Sequence, residues 1–286
     1  MKVQKTNRNL IFLLAPGLLV IAFVFIIPFI QLIVFSFWKN VPTSVLPEPA
    51  FTLENYYHLL VEEGPYYFKI YWNTIRIGTL ATLLTLILAY PLSWHIARTK
   101  GMKKSIYIVL IFFPLIGGAM IQTLGWLILL MPRGLFNGVL LALGIIQSPI
   151  KFLGKDIGII LAMAQAYMPM MILPLIVSLG SIDPMLEPAA KSLGAGPMSV
   201  FTKVIFPLSL PGAIAGSTLV FLSCLTSFVT PLILGMGKVP VFGPVAYTMG
   251  ISVMNYPFAS AFAFFPMVLA LVAWLGIVLF RKIVNK

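Results

Sequence analysis

Charged residues are scarce in this sequence. Asp, Glu, Lys and Arg make up 9% of the 286 residues, whereas about 25% is usual in soluble domains. Hydrophobic residues make up 60% of the chain. A soluble core of this size has no room to bury so much apolar surface, but lipid accepts it. The composition therefore excludes an ordinary soluble protein and predicts an all-α integral membrane protein.

Cysteine and histidine are nearly absent. The single cysteine, Cys224, lies in an apolar run and has no partner for an intramolecular disulfide. We interpret it as a small buried hydrophobic residue. The two histidines, His58 and His95, are 37 residues apart, with no Cys or second His near either. No metal site is predicted from such spacing.

A nucleotide-binding loop is also missing. Gly154 and Lys155 are followed by Asp156 instead of Ser or Thr, and Pro149 stands where the first glycine of the motif belongs. We therefore expect the chain to bind no ATP and no other cofactor. Its formal net charge of +12 would suggest nucleic acid in a soluble protein. No basic stripe with interleaved aromatics is present, so no nucleic-acid partner is expected.

What the sequence has in abundance is long apolar runs. A membrane helix needs about 20 mostly apolar residues, and six segments qualify, so the whole chain is interpreted as one membrane domain, 1–286. These spans are about 10–37, 70–97, 105–130, 157–180, 206–234 and 257–280. A further apolar piece, 134–146, is too short to span and is expected to lie in the interface or to enter the membrane partway.

Basic residues set the expected orientation. If the N-terminus is inside, the inside segments hold 12 of the 19 Lys and Arg residues and the outside segments hold 6, with Arg76 within a span. Membrane proteins keep Lys and Arg in their cytoplasmic loops. Both termini are therefore predicted to be cytoplasmic, and so is the loop at about 181–205.

This loop has an unusual sequence, EPAAKSLGAGPMSVFTKVIFPLSLPG from Glu187. Asp183 and Pro184 are typical of a helix start, although Pro188 leaves open whether the helix begins at Pro184 or at Pro188 itself. Gly194 suits a left-handed cap at the end of this helix. Gly196 followed by proline begins a second helix. A helix–turn–helix element with an apolar edge is predicted, which fits a groove on a partner protein.

The same loop resembles the cytoplasmic "EAA" loop of permease subunits in binding-protein-dependent ABC importers. That pattern is Glu-Ala-Ala, three residues, Gly, nine residues, Ile, one residue, Leu-Pro. Alignment on Gly194 places its alanines on Ala189 and Ala190, and Pro188 occupies the Glu position, with Glu187 one residue earlier. FTLENYYHLL, AYPLSWHIAR and NYPFASAFAF extend the likeness to spermidine/putrescine-type permeases.

This resemblance implies a type I ABC importer permease with six transmembrane helices, in the cytoplasmic membrane of a bacterium. The loop would form a coupling helix that seats in a cytoplasmic ATPase subunit, which alone would use ATP. A second permease subunit, usually a different one in polyamine systems, and a periplasmic or lipid-anchored solute-binding protein would complete the importer. The residues assigned to ATPase coupling are Glu187, Ala189, Ala190, Lys191, Gly194 and Pro207.

Polar residues within the predicted spans are candidates for the substrate pathway. They are Asn73, Arg76, Gln122, Gln165, Tyr167 and Ser227. Arg76 either lines the pathway or serves as an interfacial anchor or structural pair, and a polycation importer would turn it away or pair it with an acid from the partner subunit. No acid lies clearly inside a span, so a polyamine, a neutral solute and an anion all stay open. A stand-alone secondary transporter is the other alternative, but it would be expected to carry charge relays within its spans.

Overall fold

The computed structural model describes residues 14–17, 19–41 and 47–284, without the side chains of 269, 270 and 273–284. The described ranges are helical, apart from loops and one isolated antiparallel bridge between Lys39 and Glu48. The chain divides into two compact units, the first Met1–Tyr67 with Ala246–Phe265 and the second Phe68–Val245 with Pro266–Lys286.

The helices are numbered in chain order. They are α1 Ile27–Ser36, α2 Glu54–Tyr57, α3 Gly64–Arg98, α4 Met102–Ile116, α5 Gly118–Leu130, α6 Leu135–Ala142, α7 Asp156–Ala166, α8 Met168–Gly180, α9 Leu186–Ser192, α10 Pro197–Val200, α11 Phe206–Leu225, α12 Val229–Gly235, α13 Phe242–Tyr247 and α14 Tyr256–Val284. Five-residue π-helical segments adjoin these helices at Ala22–Ile26, His58–Glu62, Phe201–Ile205 and Thr248–Ser252.

Several of these helices are long and apolar enough to cross a membrane. Within the described residues four stretches pass on length and composition, and the pair α7–α8, bent by 47°, makes a fifth if it counts as one span. The four are Leu14–Ser36, Gly64–Arg98, Gly118–Ala142 and Pro197–Leu225. Residues 10–13 and 18 of the first predicted span lie outside the described residues. The count of six spans and the cytoplasmic termini stay predictions.

Three spans that the sequence predicts as single helices are interrupted. The third breaks between α4 and α5 at Gly117, the fourth between α7 and α8 at Tyr167, and the fifth at 226–228 between α11 and α12. Pro169 and Pro231 explain two of these breaks, because proline lacks the N–H that a continuous helix needs and clashes with the carbonyl four residues back. Each new helix restarts just before its proline, where that N–H has no intrahelical partner.

The second unit is held together by close packing between α8 and α11. A Cβ at Gly212 would lie 2.6 Å from the carbonyl oxygen of Pro174, and one at Gly216 would lie 2.8 Å from Sδ of Met171. The two glycines are four residues apart and share one face of α11, so they allow the two backbones to approach. The core of this unit is apolar and includes Ile77, Ala81, Ile159, Leu175, Ile205 and Val220.

The first unit is organised by a buried amide and by aromatic rings. The amide nitrogen of Asn55 donates to the carbonyl oxygens of Ser36 and Trp38, each at 2.9 Å. The buried ring of Tyr67 lies 5.2 Å from that of Phe258, measured between centroids. These contacts tie the end of α1 to α2 and the start of α3 to α14.

Candidate functional site

The predicted coupling loop contains a short helix that begins between the two proposed starts. Asp183 accepts a hydrogen bond from the backbone N–H of Met185 at 2.9 Å, and α9 begins one residue later at Leu186. Both expected starts, Pro184 and Pro188, are therefore wrong. Pro188 is the third residue of α9, where a backbone N–H has no intrahelical partner, so its missing donor costs the helix nothing.

Gly194 ends this helix in the predicted left-handed conformation, with φ of 84°. Its N–H donates to the carbonyl of Lys191 at 2.9 Å, and the N–H of Ala195 donates to the carbonyl of Ala190 at 3.1 Å. This pair of bonds is the Schellman arrangement, which satisfies the last carbonyls of a helix. The turn after α9 is therefore a defined structure, whose shape depends on a residue without a Cβ.

The second half of the loop leads directly into α11. Gly196 is extended and Pro197 begins α10, as predicted. A π-helical segment follows, in which the N–H of Phe206 donates to the carbonyl of Phe201. Pro207 is the second residue of α11 and has no N–H to give, which accounts for the wide turn beside it.

The apolar edge of the coupling loop differs in part from the one expected. The sequence places Ala189, Ala190 and Leu193 on one apolar edge, but Ala190 is half-buried and packs against the core of the second unit. Leu193 is 89% exposed, and Met185 and Met198 join it on the outward side with exposed fractions of 69% and 72%. Lys191 and Ala189 are exposed beside them.

The side chain of Glu187 makes its contact within the same chain. Its carboxylate forms an ion pair with the guanidinium of Arg98, the last residue of α3. The same guanidinium lies 5.1 Å from the ring centroid of Trp94, in a cation–π arrangement. Nothing in the sequence points to this pairing, because the two partners are 89 residues apart.

Three of the six pathway candidates meet where α7–α8 and α11–α12 are interrupted. Tyr167 and Ser227 stand at the two breaks, with their side chains close to each other. Gln165, two residues before Tyr167, accepts a hydrogen bond from the indole nitrogen of Trp126 at 3.0 Å. Interrupted helices within a membrane protein occur where the backbone is buried in protein or lines a cavity.

Hydroxyl groups extend this polar region. The side chains of Thr123 and Thr230 are hydrogen-bonded at 3.0 Å, which links α5 to α12. The hydroxyl of Thr85 lies 3.3 Å from the carbonyl oxygen of Ala164, near the end of α7. The Thr123–Thr230 and Trp126–Gln165 pairs were not expected from sequence, which identified single polar residues but not their partners.

The other three candidates are bound elsewhere in the second unit. Asn73 is buried and donates to the carbonyl oxygen of Pro240 at 3.1 Å. Gln122 donates to the carbonyl oxygen of Pro114. Arg76 pairs with Asp156, the first residue of α7. The acid expected from a partner subunit is therefore supplied by the same chain.

Comparison with known proteins places these features in a family. No family model matches the chain. It is 31% identical over 261 residues to the spermidine/putrescine transport system permease protein PotB of Salmonella typhimurium (strain SL1344), covering 91% of this chain and 89% of that protein. The PotB protein of Escherichia coli (strain K12) is 31% identical over 241 residues, covering 84% and 86%.

A third relative is named for a different substrate. The putative 2-aminoethylphosphonate transport system permease protein PhnU of Salmonella choleraesuis (strain SC-B67) is 29% identical over 268 residues, covering 86% of this chain and 87% of that protein.

Solved structures agree on the fold. A chain of a bacterial ABC transporter that imports the acidic polysaccharide alginate superposes with a TM-score of 0.73 at 17% identity, covering 99% of this chain and 98% of that one. The same kind of transporter, in complex with an alginate pentasaccharide-bound periplasmic protein, gives a TM-score of 0.71. The chain belongs to the family of spermidine/putrescine-type transport permeases and is the membrane permease subunit of an ABC importer.

Proposed function

We propose that this permease carries a polyamine such as spermidine or putrescine across the bacterial cytoplasmic membrane. The observation that carries this proposal is the 31% identity to PotB proteins over 91% of the chain. The Arg76–Asp156 ion pair removes the main argument for an anion, because the guanidinium inside the second predicted span is already neutralised. A cation passing this helix meets a paired charge instead of a bare positive one.

The polar cluster at the two helix breaks is the proposed pathway within this subunit. Tyr167, Ser227 and Gln165 supply a hydroxyl pair and an amide, and the Trp126 ring beside them is a surface for cation–π contact. Together these groups can hold an ammonium group without a fixed carboxylate. Carbonyl and hydroxyl dipoles also bind a cation weakly enough to release it.

The ATPase subunit is proposed to dock on the exposed side of α9 and α10. Large apolar side chains that face outward beside a charged residue are typical of protein interfaces. Met185, Leu193 and Met198 supply the apolar area, and Lys191 supplies charge at its edge. This chain would bind no ATP or other cofactor, so hydrolysis would take place wholly on the partner.

Two further partners complete the proposed importer. A second permease subunit, different in sequence as in other polyamine systems, would form the other half of the membrane channel. A periplasmic or lipid-anchored solute-binding protein would deliver substrate to the outer loops. Six membrane spans with both termini in the cytoplasm are the topology that this arrangement requires.

Reconstitution tests the proposal directly. The permease, co-expressed with the other subunits of its own transport system, is placed in proteoliposomes containing ATP, and uptake of radiolabelled spermidine and putrescine is measured. We expect saturable uptake that requires the binding protein and stops when the catalytic site of the ATPase is disabled. Uptake that persists without the ATPase would show a secondary transporter instead.

The third relative supplies the competing substrate. PhnU is named for 2-aminoethylphosphonate, which carries an amine and an anionic phosphonate. Excess unlabelled 2-aminoethylphosphonate should leave spermidine uptake unchanged. Import of labelled 2-aminoethylphosphonate with no import of either polyamine would overturn the substrate assignment and leave the importer class intact.

A further inference from the structure

The inner end of α3 is attached to the coupling helix by a single charged side chain. Arg98 pairs with Glu187 in the first turn of α9, and both side chains are largely covered, with exposed fractions of 32% and 22%. A partly buried ion pair is screened by salt less than an exposed one. The guanidinium is planar and lies over the Trp94 ring at 5.1 Å, so its position is fixed from two sides.

The attachment continues beyond Arg98 through aromatic rings. The Trp94 ring stacks on that of Phe201 at 5.5 Å between centroids and an interplanar angle of 11°. Phe201 also meets the edge of Tyr90 at 5.4 Å, and the Tyr90 hydroxyl is hydrogen-bonded to that of Ser209 in α11 at 2.6 Å. The inner turns of α3 thus contact both the coupling helix and the segment that leads from it into α11.

The orientation of Glu187 separates it from the surface that faces outward. Its carboxylate is engaged by Arg98, whereas Leu193 and Met198 are exposed on the remainder of the loop. One end of the element therefore has the properties of a docking surface and the other has the properties of an attachment. A displacement of the exposed side of such an element is transmitted to the helix that contacts its covered side, which here is α3.

We propose that Arg98 is a positioning residue for transport, which transfers movement of α9 to α3 through its ion pair with Glu187 and its contact with Trp94. This inference rests on the proposed docking of the ATPase at α9. It assigns Glu187 to a contact within the chain, and it leaves ATPase retention to the exposed apolar residues. Loss of the ion pair then uncouples the two helices without releasing the ATPase.

Charge reversal and charge exchange test this assignment. Arg98→Glu, Glu187→Arg and the exchanged double variant are made in the complete importer in proteoliposomes. Three quantities are measured. They are the ATPase retained on purification, the stimulation of ATP hydrolysis by the binding protein as it is isolated from cells, and the spermidine uptake per ATP hydrolysed. Lys103→Glu is the matched control, because it reverses a cytoplasmic-side charge that forms no ion pair within the described residues.

We expect each single reversal to reduce uptake per ATP at least tenfold while ATPase retention stays within twofold of the parent. The exchanged double variant should recover most of the loss, and Lys103→Glu should behave as the parent does. A role in folding alone would lower retention and stimulation together. Normal coupling in the single variants, or a double variant no better than either single one, would overturn the proposal. Failure of the parent itself to retain an ATPase would instead overturn the proposed docking.

Discussion

At the scale of single residues, the shape of the coupling loop depends on the absence of a side chain at Gly194. Its φ of 84° is left-handed, and a Cβ in that conformation costs about 1–2 kcal/mol. We expect Gly194→Val to reach the membrane in normal amounts but to retain less ATPase and transport more slowly. The measurement is co-purified ATPase per permease, together with spermidine uptake.

Gly196 provides the control for this change. It has open space around the position of a Cβ and lies in an extended conformation that any residue adopts before proline. Gly196→Val should therefore transport at nearly the parent rate. Equal loss in the two variants, or no loss in Gly194→Val, would count against the shaped turn.

The surroundings of Arg76 in the structure change the role expected of this residue. Its side chain is 43% exposed and that of Asp156 is 36% exposed, and ion pairs this exposed typically contribute about 0.2–1 kcal/mol. We expect Arg76→Gln combined with Asp156→Asn to keep polyamine uptake within about threefold of the parent. Uptake should be measured with assembly and ATP hydrolysis as controls. If uptake collapses while assembly and ATP hydrolysis stay normal, Arg76 belongs to the pathway.

The partners of these charges mark the limit of prediction from the sequence. A guanidinium in an apolar segment requires a partner or an escape to the interface, and the sequence says as much for Arg76. It does not say which acid, because Asp156 is 80 residues away. Gly194, by contrast, was predictable, since the signals for a capped helix end lie within a few consecutive residues.

At the scale of helices, the contact between α8 and α11 depends on Gly212 and Gly216. A larger residue there forces the helices apart, and overpacking of this kind costs about 1–3 kcal/mol. We expect Gly216→Leu to lower the midpoint of thermal unfolding in detergent, measured by intrinsic fluorescence. Gly125→Leu is the control, because nothing lies within 4 Å of a Cβ at Gly125. A similar midpoint for both variants would contradict the packing role.

The spacing of these glycines was visible in the sequence, as GAIAG from Gly212 to Gly216, and signals close packing in membrane helices. The helix breaks were visible too, since Pro169 and Pro231 lack the donor that a continuous helix needs. Hydropathy alone misses both signals, because it reports only the free energy of transfer into lipid. It does not report backbone hydrogen bonds or the distances between backbones. The pairing of Tyr167 with Ser227 across the breaks required the fold itself.

At the scale of the whole molecule, the orientation in the membrane is open to direct measurement. Cys224 is buried and is first replaced by Ala, which gives a background without cysteine. Single cysteines at Glu62 and Lys151 should react with a membrane-impermeant maleimide added outside intact spheroplasts. Cysteines at Lys103 and Lys191 should react only after the membrane is opened. Outside labelling at Lys191 would invert the topology and remove the argument for ATPase docking at α9.

The two ion pairs on α3 have a consequence for the lipid around the protein. From Arg76 to Arg98 the helix runs 22 residues, or about 33 Å at 1.5 Å per residue. This is close to the roughly 30 Å hydrocarbon thickness of a bilayer. With a charge held at each end of this 22-residue stretch, α3 accommodates hydrophobic mismatch poorly by sliding. We expect spermidine uptake in reconstituted vesicles to peak with acyl chains of matching length and to fall in thinner and thicker bilayers. Acyl chains of about 14 to 22 carbons bracket the matched thickness. Uptake that does not change over this range would show that α3 adjusts its depth freely.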